Sequence, residues 1–227
     1  MGSLYYEKEK GMSTKNAILI IIGLLIITIG ISIVAEARMP AKMVSHWNAQ
    51  GQPDGYSSKS FALYFLPAME LGLVFLLFGL PLIDPRKENI RKFQPAYNWF
   101  VVLVIGFMSY LHLLTLGWNI GLKFDFLRWM VPAFAVLIYF TGSLIGGAQP
   151  NWFIGIRTPW TLSDNRVWER THRIGGVAFK CCGVISVAGL IHPPITFWLL
   201  IIPLMITAFG LVVYSYIYYR KIHQVEI

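Results

Sequence analysis

Six stretches of this chain are apolar over roughly 20 residues each, the length a helix needs to cross a hydrocarbon core of about 30 Å. They lie near Ala17 to Ala35, Phe61 to Leu82, Trp99 to Gly121, Trp129 to Gly147, Ile174 to Ile191 and Phe197 to Tyr219. The expected fold class is therefore all-α: a polytopic membrane protein, a bundle of six transmembrane helices with a short interfacial helix in the 148–173 loop. Composition agrees, since 56% of the residues are apolar and only 13% charged, about half the charged share of a soluble domain. The first stretch reads as a retained helix, because its apolar run is long and Glu36-Ala37-Arg38 makes a poor small-residue cleavage site.

Orientation follows from the Lys and Arg in the connecting segments. Residues 1–16 carry three, 83–98 four (Arg86, Lys87, Arg91, Lys92), 148–173 four (Arg157, Arg166, Arg170, Arg173) and the C-terminal tail two. The opposite side holds Arg38, Lys42, Lys59, Lys123 and Arg128. The positive-inside rule then expects both termini and the 148–173 loop in the cytoplasm, with the 36–60 loop outside. This divides the chain into a cytoplasmic tail (1–16), an N-terminal unit of two spans with an ordered outer loop (17–82), a linking loop with the third span (83–128) and a C-terminal unit of three spans (129–227). The net charge of +8 points to anionic lipid headgroups, each basic residue near the surface contributing about 1 kcal/mol. Direct nucleic-acid binding is not expected, because no basic patch sits on a soluble domain.

The outer loop, Met39 to Ser60, breaks the apolar pattern. Pro53-Asp54-Gly55 reads as a turn, with proline presetting φ, aspartate able to bond its own backbone and glycine accepting positive φ. His46, Trp47 and Asn48 before it, and Tyr56 and Lys59 after it, could gather into a recognition surface; alternatively Trp47 and Tyr56 anchor at the interface and His46 bonds within the fold. His46 and Asp54 are two metal-ligand types without a third at ligand spacing, so no metal or other cofactor is expected.

The inner loop, Asn151 to Gly176, is too polar to span and unusually rich in Trp, Arg, Thr and His. Pro150 closes the fourth span, Pro159 biases Thr158 to an extended conformation, and Ser163 is the expected N-cap of a helix with Asp164 and Asn165 in its first turn. On that helix Arg166, Arg170 and Arg173 form one stripe, Glu169 can pair with Arg173, and Trp168 falls over His172. Asn151, Arg157, Thr158, Pro159, Trp160, Thr161, Asp164, Trp168, His172 and Arg173 make up a candidate site that could bind a phosphate or carboxylate from lipid or protein. They could equally form a buried polar network that pins the loop to the bundle.

Three ionisable groups lie inside spans, and an intramembrane ionisable residue is a functional-site hypothesis by default. Glu70 in the second span and His112 in the third both fall about 13 Å below the outer boundary, and Ser109, His112, Thr115 and Asn119 give the third helix a polar stripe. Glu70 and His112 are expected to pair, facing a cavity that opens outward or gluing two helices. Lys180 is expected to snorkel to the inner headgroups, and Gly146-Gly147 and Gly175-Gly176 to let the fourth and fifth helices approach closely. Asp84 ends the second span near enough to the inner loop to meet one of its arginines. Cys181 and Cys182 point to different faces and do not bridge.

NWFIGIRTPWTL followed by VWERTHRIGG resembles the signature of the SdpI-type immunity proteins, through Asn151, Phe153, Gly155, Ile156, Arg157, Thr158, Pro159, Trp160, Thr161, Trp168, Thr171, His172, Arg173 and Gly175. HWNAQGQPDGYSSK is similar to the domain of unknown function that usually precedes that signature, in Pro40, His46, Asn48, Gly51, Pro53, Asp54, Gly55 and Lys59, with Trp47 where phenylalanine is usual. The resemblance implies a multi-pass protein in the plasma membrane of a prokaryote that confers immunity to a secreted antimicrobial peptide. It further implies signalling through a small transcriptional repressor held at the membrane.

Two other function classes stay open on the residues. One is a small-solute transporter or membrane enzyme using the Glu70 and His112 pair, although the chain has no His-Glu-x-x-His, no Gly-x-Ser-x-Gly and no phosphate-binding glycine loop, so no catalytic residue is expected. The other is an anionic-lipid-binding scaffold built on the arginine stripe.

Overall fold

The computed structural model describes residues 11–191 and 195–223. Six of its helices are long and apolar enough to cross a membrane: α1 (Thr14–Ala35), α2 (Lys59–Ile83), α4 (Gln94–Asn119), α5 (Phe126–Gly147), α7 (Asn165–Ala188) and α8 (Thr196–His223). Two short helices, α3 (Lys87–Arg91) and α6 (Pro159–Ser163), lie in connections. Alternation of the spans puts residues 36–58 and 120–125 at one end of the bundle and residues 84–93 and 148–164 at the other. These ends are the hairpin side and the motif side below. Most of the 1–16 tail lies outside the described residues.

Side chains such as Ile26, Val34, Phe75 and Leu82 are more than half exposed. That apolar exterior suits lipid, where a soluble protein would bury it. Lipid tails are as apolar as leucine, so the helices are held together by close packing and by polar bonds instead. One face of α1 (Ala17, Ile21, Thr28, Ser32) is buried, and Ala17 and Ile21 share a core with Tyr97, Val101 and Ile105 of α4 and with Trp168. A second core joins Val131 and Ile138 of α5, Cys182 of α7 and Leu200 of α8. Cys182 is buried and Cys181 exposed, both as free thiols.

The closest helix contact is between α5 and α7. A Cβ built on Gly176 would stand 2.8 Å from Gly146 Cα and 2.9 Å from the Gly142 carbonyl oxygen. Gly146 and Gly176 are two of the four glycines expected there; Gly147 has open space around it, while Gly142 completes the contact from the other helix. Backbones this near let many weak contacts add up, the usual glue of small-residue membrane interfaces.

The 36–60 loop is not wholly irregular. It forms an antiparallel hairpin of β1 (Lys42–Trp47) and β2 (Pro53–Ser58), which the helical hydropathy pattern does not announce. Nor is Pro53-Asp54-Gly55 the turn. Pro53 opens β2, a position where its missing N–H does no harm, and the Asp54 carboxylate is occupied by His46 Nδ1 at 2.6 Å. The turn is made by Asn48, whose Oδ1 accepts from Gln50 N and Gln52 N, both at 3.0 Å.

Candidate functional site

Polar side chains assemble at three levels of the bundle. On the hairpin side the loop is clamped, not free. The Asn119 amide donates to the Val44 carbonyl (3.0 Å) and accepts from the Val44 N–H (2.8 Å), so the end of α4 acts as a one-residue partner strand for β1. Trp47 stacks on Phe126 with ring centroids 3.9 Å apart and meets Trp118 edge-on at 6.0 Å. Lys59 Nζ donates to the Glu36 carbonyl, and Tyr64 donates to the Glu36 carboxylate. Of the residues expected to form a recognition surface, Trp47, Asn48 and Lys59 thus hold the hairpin together. His46, Asp54 and Tyr56 remain on its exposed face, with Lys42 over the Tyr56 ring at 5.2 Å.

On the motif side the inner loop folds around a buried network. Asn151 is fully buried and saturated: its Nδ2 donates to the Gln149 and Ile154 carbonyls, and its Oδ1 accepts from Phe153 N and Ile154 N. Thr158 caps α6 in a reciprocal box with Thr161, with Pro159 at the first helical position where proline is favoured. The Thr158 hydroxyl also bonds Ser215 of α8 at 3.0 Å, and Trp160 lies against Tyr216. Trp168 donates from Nε1 to the Ala148 carbonyl and stacks on His172 at 3.9 Å.

The bonds of His172 fix its protonation. A carbonyl only accepts, so Nδ1 donates to Trp168 O (2.8 Å); an amide only donates, so Nε2 accepts from Ile156 N (2.9 Å). The ring is neutral with one tautomer, and both nitrogens are used inside the chain. It sits so close to Gly155 that a Cβ there would be 2.4 Å from Nε2, and Gly155 has φ +115°.

Sequence reasoning left open whether these residues bind a ligand or pin the loop. Asn151, Thr158, Thr161, Trp168 and His172 are buried and bonded within the chain, whereas Arg157, Arg166, Arg170 and Arg173 face outward. The arginine-bearing helix is not a separate interfacial piece: it is the first two and a half turns of α7. Its N-cap is Asp164, one residue beyond the expected Ser163, which instead ends α6. Arg166 donates to the Asp164 carboxylate and holds it below the usual carboxylate range. Among the described residues no ion pair joins Glu169 to Arg173. Asp84 meets the loop through backbone, not through an arginine: its Oδ2 accepts from Trp152 N at 2.9 Å. The only warning of that role was the position of an aspartate at the end of a span. Nothing in the sequence signalled Ser215.

Midway through the bundle, Glu70 and His112 are each fully buried. They do not bond each other. Glu70 Oε2 accepts from Ser109 Oγ at 3.2 Å, and His112 Nε2 contacts Ser32 Oγ at 2.7 Å, a residue the sequence gave no reason to single out. Lys180 does not extend toward the motif side; its ammonium lies over the Tyr139 ring, 5.6 Å from the centroid. Among the described residues no group of three His, Cys, Asp or Glu could hold a metal ion.

Six spanning helices with a polar assembly at each end define a multi-pass membrane protein. Residues 148–215 match the SdpI/YfhL protein family and residues 23–71 match a domain of unknown function, DUF1648. The chain therefore carries an SdpI/YfhL segment behind a DUF1648 domain, the two motifs of the resemblance drawn from its sequence. It is 25% identical over 198 residues to the Immunity protein SdpI of Bacillus subtilis (strain 168), covering 85% of this chain and 90% of that protein. No solved structure matches the chain.

Proposed function

We propose that this is a membrane immunity protein that meets a secreted antimicrobial peptide with its hairpin side and a cytoplasmic partner with its motif side. The observation that carries this reading is the similarity to an immunity protein along nearly the whole of both chains. The architecture suits it. The hairpin presents His46, Asp54 and Tyr56 on a rigid support, and a clamped loop loses little entropy when a peptide docks. On the motif side Arg157, Arg170 and Arg173 stand exposed on a scaffold fixed by Asn151, Thr161 and His172, a basic face suited to an acidic surface of a small repressor or to anionic headgroups.

The orientation belongs to the same reading: both termini and the motif side are cytoplasmic, the side the Lys and Arg distribution favours. Deleting the gene is expected to lower the dose of a secreted killing peptide that stops growth, and expression in trans to restore resistance. A deletion strain with unchanged sensitivity across a panel of such peptides would count against immunity.

A further inference from the structure

Three helices contribute two buried hydrogen-bonded pairs, Ser109 with Glu70 and Ser32 with His112, one turn apart along α4. Ser32 of α1, Glu70 of α2, and Ser109 and His112 of α4 are all buried, Glu70 and His112 completely. The hydrogen bonds can be assigned atom by atom. Ser32 Oγ donates to the Thr28 carbonyl at 2.9 Å, which leaves it to accept from His112 Nε2–H. Ser109 Oγ donates to Glu70 Oε2. Two atoms remain, Glu70 Oε1 and His112 Nδ1; both are buried and neither has a hydrogen-bond partner. Both are lone-pair acceptors when Glu70 is ionised, so the cluster has two acceptors to spare and no donor.

Among the described residues no ion pair reaches Glu70, whose one hydrogen bond is from Ser109. Of the other titratable groups on these three helices and the turn that follows α1, Tyr64 and Lys59 are engaged with Glu36, Tyr97 with the Leu77 carbonyl, Tyr110 with the Trp129 carbonyl, and Lys15 sits in the first turn of α1. Arg38 stands in the turn beyond α1. Burying a carboxylate without a partner is strongly unfavourable, and a proton bound at Oε1 removes the charge.

A crevice of about 180 Å³ beneath the hairpin is lined by Ser45, Phe61, Phe65, Leu66 and Thr115. Leu66 and Thr115 lie one helical turn toward the hairpin side from Glu70 and His112, and His112 lies one turn nearer that side than Ser109, the partner of Glu70. We propose that Glu70, Ser109, His112 and Ser32 form an intramembrane proton-binding site loaded from the hairpin side, with the proton resting on Glu70 Oε1 and His112 Nδ1 as the acceptor on its way in. The proposal is independent of the immunity reading.

Infrared difference spectroscopy of the full chain in lipid vesicles tests it. Exposed carboxyls are ionised at neutral pH, so a protonated-carboxyl stretch there reports a buried one. The wild type is expected to show that band, to lose it reversibly as the pH is raised, and to lack it altogether as Glu70→Gln. Should Glu70→Gln fail to fold, Ser109→Ala, which removes the donor to Oε2, is expected to shift the band. A wild type without the band, a band that persists in Glu70→Gln, or one unmoved by Ser109→Ala would overturn the proposal. So would a band absent from a protein stabilised against heat by sodium but not potassium, which would make the occupant a metal cation.

Discussion

Gly176→Val is expected to abolish accumulation of the folded protein. Its side chain would enter a contact where Gly146 Cα and the Gly142 carbonyl oxygen already stand within 3 Å of the nearest new atom. Neither is the end of a flexible side chain, so relief requires α5 and α7 to move apart. Overpacking of this kind costs about 1–3 kcal/mol where side chains can adjust, and more where backbone must move. Separation would also cost the bonds built on that spacing, including Trp168 Nε1 to the Ala148 carbonyl at the end of α5. The heat-induced loss of monodisperse protein in detergent, compared with Gly147→Val, is the measurement. Gly147 has no neighbour within 4 Å of its added Cβ, so that variant should behave like wild type; equal tolerance of the two would mean the helices are not in backbone contact.

Gly155→Ala is the second large effect, and it acts through His172. The new methyl would stand 2.4 Å from Nε2, and the backbone at φ +115° is one that L-residues adopt only at a cost of about 1–3 kcal/mol. Displacing the ring breaks the Ile156 N–H bond and unstacks Trp168, and a buried amide left without an acceptor adds about 1–3 kcal/mol. The expected result is a motif-side loop that detaches while the six spans persist. Limited proteolysis of spheroplast-derived inside-out vesicles should cut this variant between residues 150 and 163, where the wild type resists. Matching protection in both would show that the loop does not depend on the Gly155 and His172 contact.

The spans were legible because hydropathy is a local property, and all six helices fall on the six apolar stretches. So was the stacking of Trp168 on His172, since residues four apart share a helix face. The hairpin was not, because what holds it is remote: Asn119 is 75 residues from the Val44 backbone it clamps, and no local pattern records that. The Pro53-Asp54-Gly55 signal misled for a related reason, its aspartate being claimed by His46 across the strands. The arginine-bearing helix was expected to run into the fifth span, and it is the start of α7, entered one residue later than expected because Asp164 and not Ser163 caps it. Glu70 and His112 were expected to pair, and each instead bonds a serine, Ser109 and Ser32; an isolated serine in an apolar helix usually bonds its own backbone and gives no sign of a second role.

Two-sidedness underlies everything said of function, and thiol labelling in intact cells tests it directly. In a chain carrying Cys181→Ala and Cys182→Ala, single cysteines would be placed at the exposed positions Gln50→Cys in the hairpin turn and Ser163→Cys at the end of α6. A membrane-impermeant maleimide should label Gln50→Cys in whole cells and Ser163→Cys only after permeabilisation. Labelling of both in whole cells, or of Ser163→Cys alone, would contradict a cytoplasmic arginine motif facing an external hairpin.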